Sequence, residues 1–194
     1  MSDPDVNSPK ILGKTMSDLP DALRSIVKSQ LDREEQVLWL DQPNEKAYAW
    51  RMAGCAAFGV IWCIVSIAAL VASFYSEQDF REGLSVFVTF FGVSFAGMLA
   101  PLWGYRMARR TVYVVTSRRA ACFVARPLFR TKWSLPLGEI YDVQRWTWHD
   151  RSGTLHLLEN SATLNDEAYY VFYCVPDVRG VMDLIKRHIN QQLP

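Results

Sequence analysis

The sequence predicts a hairpin of two transmembrane helices joined to an α+β domain, in which a curled antiparallel sheet is capped by a C-terminal helix. Two apolar runs, 52–76 and 83–105, carry no charged side chain, and each is longer than the roughly 20 residues that cross a bilayer core. Short β-rich runs separated by polar turns continue to Val175, and a helical apolar stripe follows them. These patterns divide the chain into an N-terminal arm (1–51), a membrane hairpin (52–105) and a C-terminal domain (106–194).

Composition gives little indication of ligand chemistry. The 194 residues carry a formal net charge of +1, so no global attraction to nucleic acid is expected. The four cysteines, Cys55, Cys63, Cys122 and Cys174, form no CxxC pair and no Cys/His cluster. We therefore expect buried free thiols, and neither a metal site nor a cofactor.

The N-terminal arm combines a polar start with one amphipathic helix. Residues 1–14 contain little apolar sequence and are expected to be disordered. A helix is predicted over 17–31, capped by Ser17 or Asp18, and a short strand over 35–40. The helix has one apolar stripe, made of Leu19, Leu23, Ile26, Val27 and Leu31. Its polar face mixes both signs of charge, whereas a membrane-surface helix is normally basic, so docking on the C-terminal domain is favoured over lying on the membrane.

Aromatic and basic residues flank both crossings where the membrane interface is expected. Trp50 and Arg51 precede the first crossing, and Trp103 and Tyr105 end the second. Small residues recur at four-residue spacing, which lets helices approach closely in lipid. They are Ala53, Ala57, Ala68, Ala69, Ala72, Ser73, Gly92 and Ala96. The simplest interpretation is that the two helices pack on each other, and the alternative is contact with another membrane subunit.

The distribution of charge predicts the orientation of the hairpin. The loop between the crossings is mainly acidic, whereas Arg106, Arg109 and Arg110 follow the second crossing and Arg51 precedes the first. The positive-inside rule therefore places both termini in the cytoplasm. The first run is too long and too late to be a cleaved signal and is expected to be a retained anchor. The predicted location is the cell (inner) membrane, as a multi-pass protein.

The C-terminal domain has the pattern of a strand meander closed by one helix. Turn residues separate runs rich in β-branched and aromatic side chains. The predicted strands are 111–116, 120–125, 129–135, 139–149, 155–158 and 168–175. The last helix begins after Pro176, and its apolar face comprises Val178, Val181, Met182, Ile185 and Ile189. Such a helix can cover one open end of a curled sheet.

Several of these segments resemble the bacterial pleckstrin-homology-like domain in its membrane-anchored form. Residues 113–119 (YVVTSRR) resemble its aromatic-x-hydrophobic-Thr-x-Arg-Arg hairpin, and 135–143 resemble its following turn and strand. Residues 151–155 are similar to its charged-Gly hairpin, 172–185 to its closing strand and helix, and 35–43 to its lead-in. The resemblance covers roughly residues 31–190. It implies a seven-stranded curled sheet capped by a helix, with a scaffold or interaction role. It leaves open whether the loop 160–166 hides a further strand.

Basic residues dominate the sequence around the predicted membrane exit. No acidic residue occurs from Gly83 to Gly138, a window that contains Arg106, Arg109, Arg110, Arg118, Arg119, Arg126, Arg130 and Lys132. One interpretation is a cytoplasmic surface that contacts anionic headgroups through Arg106, Arg109, Arg110, Arg118 and Arg119. The other is that the first three residues only set topology and the rest are solvated strand positions.

The remaining candidates for chemistry have structural explanations of their own. Basic and aromatic residues alternate over 145–151, as on nucleic-acid platforms, but packing of Trp146 and Trp148 under the C-terminal helix is expected to explain them. The pair His149-Asp150 is considered for catalysis, but no nucleophile motif surrounds it. Cys174 and His156 could approach each other across a sheet, but a strand cysteine next to Phe172 and Val175 is more often part of the core.

The sequence therefore predicts a non-enzymatic membrane protein whose C-terminal domain is an interaction or scaffold module. The alternative is an anionic-lipid-binding or lipid-sensing module. Expected partners are the lipid bilayer and a homo-oligomer or larger membrane complex, with no nucleic acid and no small-molecule substrate.

The predicted orientation is testable with reporter fusions. A reporter fused after Glu82 should report an external location, and one fused after Pro194 should report a cytoplasmic location, because the arginines stay on the cytoplasmic side. Signals from the same side for both fusions would contradict the hairpin.

Overall fold

The computed structural model describes residues 13–75, 80–125, 131–148, 151–159 and 169–192. Within these ranges it contains five α-helices and seven strands. The helices are α1 (Asp21–Gln30), α2 (Glu45–Arg51), α3 (Ala53–Tyr75), α4 (Phe80–Arg109) and α5 (Val178–Gln192). The strands are β1 (Val37–Asp41), β2 (Thr111–Thr116), β3 (Arg119–Val124), β4 (Thr131–Pro136), β5 (Ile140–Thr147), β6 (Gly153–Glu159) and β7 (Tyr169–Val175).

The chain divides into two compact units, and the first of them is discontinuous in sequence. It combines Met1–Asn44 with Ala108–Pro194, while Glu45–Met107 forms the second unit. The N-terminal arm expected over 1–51 therefore belongs, up to Asn44, to the same unit as the predicted C-terminal domain. The expected disorder of 1–14 falls mostly outside the described residues.

Two antiparallel sheets form the first unit. One has the order β1-β2-β3-β4 and the other β5-β6-β7. The arm strand β1 pairs with β2, with Asp41 opposite Tyr113 and Leu40 opposite Val114. The predicted antiparallel pairing of strands and the two long apolar helices are confirmed, but the strands form two sheets rather than the single curled sheet that was predicted. The loop 160–166 lies outside the described residues.

The helix α1 covers one face of the four-stranded sheet. Its apolar stripe is buried in one cluster with β1, β2 and β3, formed by Leu19, Leu23, Ile26, Val27, Leu40, Val112, Val114, Ala121 and Phe123. The docking alternative is therefore confirmed. The prediction that Ser17 or Asp18 caps the helix is wrong. The helix α1 begins only at Asp21, and the residue in the cap position is Pro20, whose side chain makes no hydrogen bond to the helix. Asp18 instead accepts hydrogen bonds from Thr15 in the preceding 3-10 turn.

Aromatic side chains fill the space between the two sheets. The ring of Phe172 on β7 lies 4.6 Å from that of Tyr113 on β2 and 4.9 Å from that of Trp133 on β4. The Tyr113 hydroxyl also accepts a hydrogen bond from the Tyr173 N–H at 3.0 Å. The helix α5 packs against β5 and β6, and it buries Val178, Val181, Leu184 and Ile185. Buried apolar side chains of the first unit therefore lie in three places: under α1, between the two sheets, and under α5.

The second unit contains α2, α3 and α4 as far as Met107. Among the described residues, two helices are long and apolar enough to cross a membrane, Ala53–Tyr75 and Phe87–Arg109. Large apolar side chains point outward along both, such as Ile64 at 62% and Val93 at 66% exposure. The helix α2, which carries Trp50 and Arg51, was not expected from the sequence.

At Gly59 and Gly97 the backbones of α3 and α4 approach each other closely. A Cβ at Gly59 would lie 2.6 Å from the Ser94 carbonyl oxygen, and one at Gly97 would lie 3.1 Å from that of Cys55. The sequence had assigned close packing on α4 to Gly92, where a Cβ would meet nothing within 4 Å. Four-residue spacing identifies a face of small residues but does not show which face meets the partner helix.

This contact can be tested by adding one methyl group. Gly59→Ala should destabilise the protein by about 1–3 kcal/mol, because the new Cβ would collide with the backbone of α4. The measurement is thermal unfolding of the full chain in detergent. The matched control is Gly92→Ala, which adds the same group to open space and should not destabilise. Equal losses in both variants would contradict the packing described.

Candidate functional site

The predicted headgroup contacts Arg118 and Arg119 lie at the turn between β2 and β3, and both face carboxylates. The Arg118 guanidinium lies 2.9 Å from the Glu34 carboxylate, and both side chains are largely exposed. Arg119 is more deeply placed, with only 27% of its side chain exposed. The two neighbouring arginines therefore occupy different environments, which their adjacent positions in sequence did not indicate.

Arg119 makes a two-pronged contact with Glu35, whose side chain is 1% exposed. Its Nε donates to Glu35 Oε1 and its Nη2 to Oε2, each at 2.9 Å. The same Nη2 also donates to the carbonyl oxygen of Gln30, at the end of α1, at 2.6 Å. Paired N–H donors from one guanidinium match the geometry of a carboxylate closely. The Arg119 side chain thus joins the arm to the β2–β3 hairpin.

Further hydrogen bonds complete the shell of the Glu35 carboxylate. The Thr116 hydroxyl donates to Oε1 at 2.7 Å, and the Asp32 N–H donates to Oε2 at 3.2 Å. The Thr116 oxygen in turn accepts the Arg119 backbone N–H at 3.0 Å. A buried charge is tolerated when it is paired and hydrogen-bonded in this way.

Electrostatics keep this pair charged. Burial raises the pKa of Glu35, but the hydrogen bonds from Arg119, Thr116 and Asp32 outweigh it, so that the pKa lies below its usual value. The hydrogen bond to Glu35 raises the pKa of Arg119 despite the opposing effect of burial. Because the folded pKa of Glu35 is depressed, its contribution to stability is present at neutral pH. It is lost as the pH falls through the folded pKa.

The other predicted headgroup contacts are exposed. Arg106 is exposed in the second unit, near the end of α4. Arg109 and Arg110 are exposed in the first unit, immediately before β2. The backbone carbonyl of Arg109 accepts a hydrogen bond from the Gln42 side chain at 3.1 Å. Arg126 and Arg130 lie outside the described residues.

The four predicted interface anchors all have exposed side chains in the second unit. Trp50 is 79%, Trp103 58% and Tyr105 39% exposed, and Arg51 is also exposed. Large exposed aromatic rings are costly to hydrate and are typical of interface regions.

One expectation about aromatic packing is wrong. Trp146 is 70% and Trp148 38% exposed, whereas both were expected to be buried under the C-terminal helix. The inward positions of β5 are Ile140 and Val143, and all residues from Gln144 to Thr147 are exposed. The end of β5 therefore lies beyond the part of the sheet that α5 covers.

A buried carboxylate that was not among the predicted site residues lies at the end of β1. Asp41 is 5% exposed, and burial raises its pKa, against the effects of the Gln42 N–H and the charge of Lys14. The Lys14 ammonium donates to the Gln42 side chain at 3.0 Å. A cavity of about 250 Å³ lies nearby, lined by residues 14–16 and 37–40. It is smaller than most small-molecule sites, which measure roughly 300–1,000 Å³.

The side chains considered for catalysis are separated in the sheet. The register places Val171 opposite His156, so Cys174 and His156 are not cross-strand partners. Cys122 and Cys174 are buried free thiols, whereas Cys55 is exposed and Cys63 partly exposed. Over the described ranges, no group of three His, Cys, Asp or Glu side chains could hold a metal ion. His149 and Asp150 lie outside those ranges.

Comparisons of the chain with protein-family models, with curated proteins and with solved structures found no match.

Substitution of the two neighbouring arginines should separate their roles. Arg119→Ala should cost about 3–5 kcal/mol of unfolding free energy, because it leaves the buried Glu35 carboxylate without its cation. Arg118→Ala is the matched control and should cost at most about 1 kcal/mol, since its ion pair is exposed. Denaturant unfolding of the full chain in detergent measures both. Similar losses for the two variants would contradict the assignment of Arg119 as the buried tie.

Proposed function

We propose that this chain is a non-enzymatic integral protein of the bacterial inner membrane, with a pleckstrin-homology-like domain that acts as an interaction or scaffold module. Both termini are cytoplasmic in this proposal, and the domain assembles with further copies or with a larger membrane complex. The observation that carries it is the outward apolar surface of α3 and α4. Ile61, Ile64, Val93 and Leu102 on these helices are 60%, 62%, 66% and 62% exposed. A bilayer would remove these side chains from water.

The architecture of the first unit supports the family resemblance. It has sheets of four and three antiparallel strands, and α5 packs against the second sheet. The total of seven strands within the described residues equals the number that the resemblance implies. One of the seven, β1, comes from the arm, which fits the similarity of residues 35–43 to the family's lead-in segment.

The connections between the units favour a hairpin with both ends on one side. The chain leaves the first unit after Asn44 and re-enters it at Ala108. Hydrogen bonds fix both points, since Asn44 N–H donates to the Cys174 carbonyl at 2.8 Å and Gln42 bonds the Arg109 carbonyl. Only Arg110 separates α4 from β2. The segment that contains α3 and α4 thus starts and ends at the same unit, as a hairpin with both ends on one side requires.

Two potentially reactive side chains of the first unit, Cys174 and Glu35, are explained by packing and by hydrogen bonding. Cys174 is fully buried beside Phe172, and the Glu35 carboxylate is satisfied by Arg119 and Thr116. Buried thiols of this kind are usually inert packing groups. These placements support a binding role over a catalytic one.

A lipid-binding role is the second candidate. The exposed side chains of Arg106, Arg109 and Arg110 favour it, because basic residues next to a membrane gain about 1 kcal/mol each from anionic lipid. Arg118 and Arg119 favour it less, since both pair with carboxylates. In this reading the first three arginines, rather than the β2–β3 turn, contact the headgroups.

Purification of the full chain in a mild detergent would decide between the two roles. The scaffold role predicts a stable oligomer or a stoichiometric co-purifying protein, and the lipid-binding role predicts a monomer that retains anionic phospholipid. Size-exclusion chromatography with light scattering and lipid analysis provide the readouts. A monomer without a protein partner would contradict the scaffold proposal.

The experiment requires the whole chain. A fragment that starts at residue 106 lacks α1, β1 and Glu35, and would expose the face of the first sheet that α1 covers. For the lipid reading, Arg106→Gln with Arg110→Gln should lower the retained anionic lipid, and Arg118→Gln is the matched control that should not.

A further inference from the structure

The outer end of β5 presents an exposed aromatic and basic surface. Trp146 is 70% and Trp148 38% exposed, and Arg145 and Arg151 beside them are also exposed. We call these four residues the β5 tip. Exposed aromatic rings grouped in one patch, rather than scattered singly, are typical of surfaces that contact another molecule or a membrane.

Backbone hydrogen bonds between β5 and β6 extend as far as the β5 tip. The Trp148 N–H donates to the Ser152 carbonyl at 2.8 Å, and Thr147 pairs with Gly153 across the strands. Arg151 has a φ of 64°, the left-handed conformation that closes such turns. A Cβ at Gly153 would collide with the Trp146 carbonyl, so the two strands are closely opposed here. The exposed tryptophans therefore lie where β5 and β6 are still paired.

The position of the β5 tip within the first unit suggests what covers it. Thr147, Gly153 and Val175 lie in one row across the second sheet. Asn44, the last residue before the chain leaves this unit, bonds to Cys174, the neighbour of Val175. The β5 tip and the chain exit thus lie at the same end of the second sheet.

We propose that the β5 tip is a second membrane contact, in which Trp146 and Trp148 enter the interfacial layer and Arg145 and Arg151 contact anionic headgroups. Tryptophan prefers this layer because its ring is apolar and its N–H still finds water or lipid oxygen. Arginine adds attraction to anionic lipid within a Debye length. This inference rests on the proposed membrane anchoring by α3 and α4. It differs from the lipid-binding candidate above, which uses the arginines at the end of α4.

Depth-dependent fluorescence quenching of the full chain tests the proposal. The protein is reconstituted into phosphatidylcholine–phosphatidylglycerol vesicles whose lipids carry bromine near the carbonyl end of the acyl chains. Because the chain has 7 tryptophans, the emission of Trp146 is isolated as the difference between the wild type and Trp146→Phe. We expect this emission to be blue-shifted and to lose most of its intensity in the brominated vesicles.

Two controls make the outcomes distinct. Tyr141 is an equally exposed aromatic at 76%, but it lies near the opposite end of β5. A tryptophan placed there by Tyr141→Trp in the Trp146→Phe background should remain unquenched. The difference between wild type and Trp62→Phe reports Trp62 of α3 and should be quenched by lipids brominated deep in the chains.

Each result leads to one conclusion. If Trp62 is quenched and Trp146 is not, the membrane anchor stands and the β5 tip proposal is overturned, which leaves the tip to a protein or nucleic-acid partner. If Trp62 is not quenched, the proposed membrane anchoring itself fails. If position 141 is quenched as strongly as position 146, the whole domain surface adsorbs and the specific contact of the β5 tip is overturned.

Discussion

The antiparallel pairing of β1 with β2 is the contact on which the first unit depends, because it joins two parts of the chain separated by all of Glu45–Met107. Closing so long a loop costs conformational entropy, which local contacts alone do not repay. The Glu35–Arg119 pair supplies a specific tie next to this junction, between residues 84 positions apart. Glu35 is buried with both carboxylate oxygens hydrogen-bonded, and the pair lies next to the point where Val37 of β1 is opposite Thr116 of β2.

The pairing gives the four-stranded sheet two different faces, and both are buried. Along β2, Val112 and Val114 point toward α1, while Tyr113 points toward the second sheet. On that second face, Phe172 is in contact with the rings of Tyr113 and Trp133. Because β2 has no solvent face, its residues are apolar in succession rather than alternating. Loss of the arm would therefore expose one complete face of the core.

Local patterns in the sequence predicted the helices and strands. They failed to predict the environment of a side chain where that environment depends on residues far away in the sequence. The apolar periodicity of α5 and the β-rich runs of β2 and β3 sufficed to place them. Arg119 was predicted to be either a headgroup contact or a solvated strand residue, because its partner Glu35 is far away in sequence. Trp146 was expected to be buried, because alternation along β5 cannot show where the cover of α5 ends. Gly92 was chosen over Gly59 and Gly97, because small residues alone do not reveal the helix contact.

The discontinuous first unit also constrains the order of events during synthesis. The ribosome makes α1 and β1 before α3 and α4, and their partners β2 and β3 only afterwards. At about 5–20 residues per second, the apolar stripe of Leu23, Ile26 and Val27 waits several seconds without its sheet. An arm that is short and carries charges on its other face limits aggregation during that interval. The nascent arm thus leaves the ribosome first but can complete its core only after β2 and β3 have been made.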